Sequence, residues 1–370
     1  MKCSLLSWSI SSRGVTFLSA VARSAKVEVP PVVLALAAVA TLSAQAPRQP
    51  IARLVSASRF DLPARIDSSN PAVWTLIDGV QRLFVISSWG GVPVRTSGET
   101  LESLRSEGPV LFTSHPGHGV WIEAIIPADD GTWYAYFHHE RSADSCGRPD
   151  RQLPRIGALR STDRGRTWDD LGIIIDAPPG TDACDSGNRF VLGGVGDVTA
   201  ALDAQSRDVY LYFSQYTREP SSQGVAVARL AWADRDQPVG KVSIWNDGAW
   251  LPDGSGTPLT RVRHPFHDRS GTSDVFWGPS IHWNTYLGQY VMLLNRAKDD
   301  QFGQDGIYVS YSPTLSDPAR WTAPTKIFNG GDWYPQVIGT EVGTGTDRIA
   351  GKRARFFMTG RSTRMIEFER

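Results

Sequence analysis

The sequence predicts an all-β chain folded as a five-bladed β-propeller, and three observations predict it. Glycine (35), proline (24) and tryptophan (13) are abundant, as suits a chain with many turns and aromatic platforms. No segment sustains a helical hydrophobic period. A strand-rich unit recurs along the body with divergent sequence, the mark of a repeat architecture.

Each unit opens with a polar turn and a strand, followed by a second strand that is aromatic or continuously apolar. The first pairs Asn70-Pro71-Ala72-Val73-Trp74 with Arg82 to Ser87. The second pairs Gly119 to Glu123 with Thr132-Trp133-Tyr134-Ala135-Tyr136-Phe137. The third pairs Gly196 to Thr199 with Val209 to Ser214, and the fourth pairs Trp277 to His282 with Tyr290 to Leu294. The fifth pairs Tyr334 to Ile338 with Ala354 to Met358. Third strands are legible at Arg155 to Arg160, Gly224 to Leu230 and Gly306 to Tyr311. Units of this length, bounded by Gly/Pro turns, describe propeller blades at 62–115, 116–178, 190–252, 272–329 and 330–370. The fifth unit is one strand short. Residues 51–60 are expected to supply it and close the ring, which hides the sheet edges.

Residues 1–46 read as an address rather than structure. Lys2, Arg13, Arg23 and Lys26 precede an apolar run from Val32 to Val39, and Ala44-Gln45-Ala46 has the small-x-small form of a cleavage site. The run is too short to span a membrane, so no integral span is expected. The expectation is a protein secreted or periplasmic after cleavage near Ala46, leaving residues 47–370 as one propeller domain. Of the three cysteines, Cys3 would leave with the leader. Cys146 and Cys184 would remain in an oxidising compartment. Lys+Arg and Asp+Glu are both 38, so the chain is neutral and nucleic acid is not an expected partner.

Ser161-Thr162-Asp163-Arg164-Gly165-Arg166-Thr167-Trp168 is S-x-D-x-G-x-T-W, and it resembles the Asp-box of sialidase-type propellers. Asp163 can accept from turn amides, Gly165 tolerates positive φ, and Trp168 can pack between blades. The resemblance implies a structural turn between the third and fourth strands of a blade.

Propeller topology sorts the loops by face. Second-to-third and blade-to-blade connections share one face, where first strands start and second strands end. Cys146 and Cys184 both fall in loops of that face, so a disulfide between them is expected. Polar residues gather there: Asp67, Asn70, Glu123, Asp197 and Asp274 at the starts, and His138, His139, Glu140, Tyr216, Arg296 and Arg361 at the ends. Trp121, Trp277, Trp333 and, on the fourth unit, His282 stand close by. Carboxylates flanked by aromatics suit sugar rings, which have apolar faces and hydroxyl edges. Glu123 is notable because its strand is otherwise apolar, and a carboxylate there must be paired or face a polar channel. His115 and His118 belong to a loop of the same face. No zinc-type ligand spacing occurs, and no cofactor is expected, although an acid ring would permit Ca²⁺ in the channel.

Over roughly residues 60–370 the layout resembles the propeller glycosidases of the arabinanase/xylosidase family 43 and the invertase-like family 32. That resemblance implies hydrolysis of oligo- or polysaccharide by a carboxylate pair, with an inverting course. Asp67 takes the place of the base or nucleophile, Glu123 that of the acid, and Asp197 that of a residue tuning it. Asn70, His139, Glu140, Asp274, Trp277, His282, Arg296, Trp333 and Arg361 are candidate sugar contacts from their place on this face, not from the resemblance. Two departures leave alternatives open. Asn70 rather than Asp precedes Pro71, and the acids run Asp, Glu, Asp along the chain, so Glu140 or His139 could be the acid. A non-catalytic carbohydrate-binding propeller and a sialidase are the competing readings.

Overall fold

Continuous apolar strands form here because each blade is buried on both faces. In the third blade Val209, Leu211 and Phe213 enter the core shared with the second blade, while Tyr210 and Tyr212 enter the core shared with the fourth. The second blade behaves alike: Tyr134 and Tyr136 face one neighbour, and Trp133, Ala135 and Phe137 face the other. Strand alternation thus sends successive side chains into different inter-blade cores.

The computed structural model describes residues 49–370 apart from 115, 118, 261 and 268–270. The leader, His115 and His118 lie outside the described residues. Five antiparallel-based sheets make a five-bladed β-propeller. Blade 1 runs through Ala72–Ile77, Val80–Trp89, Val92–Gly98 and Arg105–Pro109. Blade 2 has Val120–Pro127, Trp133–Ala143, Arg148–Ser161 and Thr167–Ile175, with Leu111–Phe112 added in parallel outside. Blade 3 has Val195–Leu202, Asp208–Gln215, Gly224–Ala231, Ser243–Asn246 and Ala249–Leu251. Blade 4 has Phe276–Asn284, Gln289–Ala297, Gln304–Ser312 and Thr325–Asn329, with Ile349–Ala350 parallel to its inner strand.

Blade 5 contains Gln336–Gly339, Arg353–Met358 and Arg361–Glu369, and its outer strand is Ile51–Asp61 from the start of the described chain. Ile51 stands opposite Glu369 and Asp61 opposite Arg361. Blade 5 also meets blade 1: Gln336 Oε1 accepts from the Asn70 amide at 2.7 Å, and Asp347 accepts from the Ala72 amide at 2.8 Å.

The Ser161–Trp168 turn joins the third and fourth strands of blade 2. Asp163 accepts from the Thr167 amide at 2.8 Å and Ser161 Oγ from the Gly165 amide at 2.8 Å. Trp168 is fully buried, and its Nε1 donates to the Gly165 carbonyl. Gly165 has φ +76°, a conformation that favours glycine, and Trp133 and Trp168 pack tightly over it.

A disulfide joins Cys146 to Cys184 and ties the extended second-to-third hairpin of blade 2 to the linker leading into blade 3. That linker also lies along the hairpin through Gln152 N to Phe190 O and Leu192 N to Gln152 O. Replacing both cysteines by serine is expected to cost about 2–4 kcal/mol of stability. Urea unfolding of the double variant against the oxidised parent checks this.

Candidate active site

Two β-bulges create the site. In the inner strand of blade 2 the pairing slips between Ile122 and Ala124, so Glu123 is the extra, unpaired residue. In blade 3 it slips between Gly196 and Val198, and Asp197 is the extra residue. Bulges re-aim side chains. This explains how an apolar strand carries an acid: Glu123 is turned out of the alternation. Asp197 adopts φ +45°, a left-handed conformation that a non-glycine residue holds only when its surroundings impose it.

The two bulges bring Glu123, His138 and Asp197 together, with one ligand-type atom of each within 4.8 Å of the others. His138 Nδ1 lies 3.0 Å from Glu123 Oε2, which also accepts from the Val198 amide at 2.7 Å. The His138 ring stacks on Trp121, with centroids 4.7 Å apart. Burial by itself would lower the His138 pKa, but the Glu123 carboxylate, with Asp197 and Glu140, raises it to about 9. His138 and Glu123 therefore form a buried ion pair at neutral pH. Glu123, His138 and Asp197 are also the residues that could hold a cation, which would have to displace the His138–Glu123 bond.

Asp197 behaves differently. Burial and the neighbouring Glu123 charge raise its pKa to about 6, against the opposing effects of His138 and hydrogen bonds from Tyr216 and Ser214. The Tyr216 hydroxyl donates to Asp197 Oδ2. Glu140 is also raised, chiefly by burial, and its Oε1 lies 4.0 Å from His138 Nε2. Asp67, from the segment before blade 1, accepts from Trp121 Nε1 at 2.6 Å and from the Gly90 amide at 2.9 Å. The adjoining Gly91 has φ +73° and no room for a side chain, because the Gly119 backbone touches it.

Asp67, His138, Glu140 and Asp197 line one side of a cavity of about 510 Å³. The other side is aromatic: Trp277, Phe302, Trp333 and Tyr334, with Phe190 from the disulfide-tied linker. These rings meet edge to face, Trp277 with Phe302 at 4.9 Å and Phe190 with Trp333 at 5.7 Å. Among the described residues eight non-glycines have positive φ, and three of them, Asp197, Phe302 and Tyr334, line this cavity. Backbone strain is thus concentrated where acids and aromatics meet.

Of the residues singled out from sequence, Asp67, Trp121, His138, Glu140, Asp197, Tyr216, Trp277 and Trp333 line the cavity. Glu123 does not: its side chain is wholly enclosed one layer beneath, behind His138. His139 is corrected to its neighbour His138, because alternate residues of a strand face opposite ways; His139 turns toward Gly117 and Arg155. Asn70 is corrected to a blade-to-blade link through Gln336. Asp274 caps the Arg263 and His264 amides and stands 3.7 Å from Arg296, which also faces Asp305. His282 is buried deep in its strand against Phe368, and burial pushes its pKa down to about 3. Arg361 is exposed at the blade-5 hairpin, beside Asp61. None of these six is among the cavity's lining residues. Sequence reasoning overlooked Phe190 and Phe302, which come from loops without periodicity, and read Tyr334 only as the start of the fifth unit's first strand, which begins at Gln336. Tyr334 alone carried a signal, as the residue after Trp333.

The fold and site together define a five-bladed propeller with an acid-and-aromatic pocket on one face. No family model matches the chain, and no curated protein matches it in sequence. Among solved structures it is similar to an endo-arabinase from Bacteroides thetaiotaomicron, at TM-score 0.48 and 11% identity over 84% of this chain and 96% of that one. It is also similar to a family 117 glycoside hydrolase from Zobellia galactanivorans, at TM-score 0.48 and 10% identity over 86% and 90%. For an exo-β-1,3-galactanase from Phanerochaete chrysosporium the TM-score is 0.45 and the identity 10%, and the chain spans 63% of that protein's length. Likeness at this level leaves the chemistry to be read from the side chains.

Proposed function

We propose that the protein is a glycoside hydrolase acting on oligo- or polysaccharide, with Asp197 as general acid and Asp67 as general base. One observation carries this reading. Asp67 and Asp197 line one cavity from separate parts of the chain, and burial with an adjacent buried charge raises the Asp197 pKa to about 6. A carboxyl group held protonated toward neutral pH is what the general-acid role requires. Asp197 gives its proton to the glycosidic oxygen as that bond breaks. Asp67 takes a proton from the water that attacks the anomeric carbon. Solvent then resets both groups. The aromatic wall holds the apolar face of the sugar. Glu123 and His138 set the charge beneath Asp197 rather than exchange protons with substrate.

Attack by water without a covalent intermediate inverts the anomeric centre. NMR of the first-formed anomer tests this course. The sialidase reading is set aside: there are five blades, and among the described residues no arginine lines the cavity. Export to an oxidising compartment fits the Cys146–Cys184 bond, and N-terminal sequencing of the mature protein tests it.

Product release from a panel of glycans and aryl glycosides, run beside Asp197→Asn, tests the activity. Sugar binding without product by a folded protein would replace hydrolysis with the carbohydrate-binding reading. A finer check uses Tyr216→Phe. Its hydroxyl stabilises the charged form of Asp197, so the variant raises the Asp197 pKa. A general acid must be protonated, so kcat/KM is expected to fall above about pH 6 in the parent and at higher pH in the variant.

A further inference from the structure

The opposite face of the propeller carries a second cavity, of about 480 Å³, between blades 3 and 4. It is built from first-to-second and third-to-fourth turns and shares no lining residue with the first. Its wall includes Trp283 and Tyr290, half-buried and edge to face with centroids 4.9 Å apart.

Arg348 lines the same cavity. Its backbone is pinned: the carbonyl accepts from the Trp283 amide at 2.8 Å, and its amide donates to Thr346 Oγ1 at 3.1 Å. Its guanidinium Nε is buried with no hydrogen-bond partner among the described residues. Adjacent Asp347 gives its Oδ1 to the Ala72 amide instead. Burial lowers the Arg348 pKa, and Asp347 offsets this only in part. Among the described residues the one carboxylate in the lining is Asp203, which accepts within its own turn from the Gln205 amide at 2.9 Å and the Ser206 hydroxyl at 3.1 Å. A guanidinium whose Nε lacks an acceptor thus lines the same cavity as two aromatic rings, and a planar carboxylate matches its fork of donors.

We propose that this cavity is a second, non-catalytic carbohydrate site for a carboxylate-bearing sugar, its ring against Trp283 and Tyr290 and its carboxylate on Arg348. The proposal stands apart from the catalytic reading. It also separates the two faces by charge. The first cavity is lined by the carboxyl groups of Asp67, Glu140 and Asp197, whereas the second carries the Arg348 guanidinium.

Affinity electrophoresis of the full chain in gels containing polygalacturonate, neutral galactan or dextran sulfate tests it. The parent and Asp197→Asn are expected to be retarded equally by polygalacturonate, and any retardation of the parent in galactan is expected to be unchanged in Arg348→Gln and Ala204→Trp. Arg348→Gln is expected to bind polygalacturonate at least about tenfold more weakly, the effect of losing one charge-assisted contact. Ala204→Trp, which fills the cavity from an exposed turn, is expected to abolish binding while the circular dichroism stays native. Ala204→Trp carries the test if Arg348→Gln does not fold. Free migration of the parent in polygalacturonate would overturn the proposal. So would retardation by dextran sulfate alone, or undiminished retardation of a folded Ala204→Trp protein.

Discussion

Asp197→Asn is expected to lower kcat on unactivated glycosides by about 10²–10⁴-fold, the usual contribution of a positioned proton donor. Asparagine leaves in place the surroundings that position residue 197: the bulge, Tyr216 and the Glu123–His138 pair. The variant should therefore fold and bind substrate. Its defect should depend on the leaving group. An aryl glycoside with an acidic phenol departs without protonation, so Asp197→Asn should keep most of its activity on such a substrate. Asp67→Asn should lose activity on both kinds, because water needs its base whichever group leaves. Steady-state rates over aryl glycosides of graded phenol pKa distinguish the two. Equal loss by both variants across the series would remove the assignment of acid and base.

Glu123→Ala is expected to destabilise the protein by about 3–5 kcal/mol, because it leaves the buried His138 charge without its partner. The pair also predicts a pH dependence. The folded His138 pKa, about 9, lies above its ordinary value of 6.5. The folded state therefore binds the proton more tightly than the unfolded chain. The pair's stabilisation is fully present below about pH 6.5 and is lost as pH rises through about 9. Urea unfolding of the parent at intervals from pH 6 to 9.5 should show this decline, and Glu123→Gln should flatten it. A parent whose stability is level across that window would show that the ion pair is absent.

The fold was legible because propeller blades write themselves into local sequence. The runs Tyr134 to Phe137, Val209 to Phe213 and Val291 to Leu294 are continuously apolar, since each strand is covered on both faces. The site was legible in part. Glu123 stood out as an acid in an apolar strand, but strand position could not tell a wall residue from one beneath it. His139 stood for His138 because a one-residue change of phase reverses the direction of the side chain.

By itself, then, the sequence determined the five strand-rich units, the Ser161–Trp168 turn and the gathering of acids toward one face. These follow from local alternation and turn chemistry. Only the tertiary structure decided which acids share a cavity. A bulge shifts each strand's register by one residue, and packing across blades then settles which charge lies exposed and which is buried. The aromatic wall was likewise a tertiary decision, because Phe190, Phe302 and Trp333 lie on loops remote in sequence and meet only when the ring of blades closes.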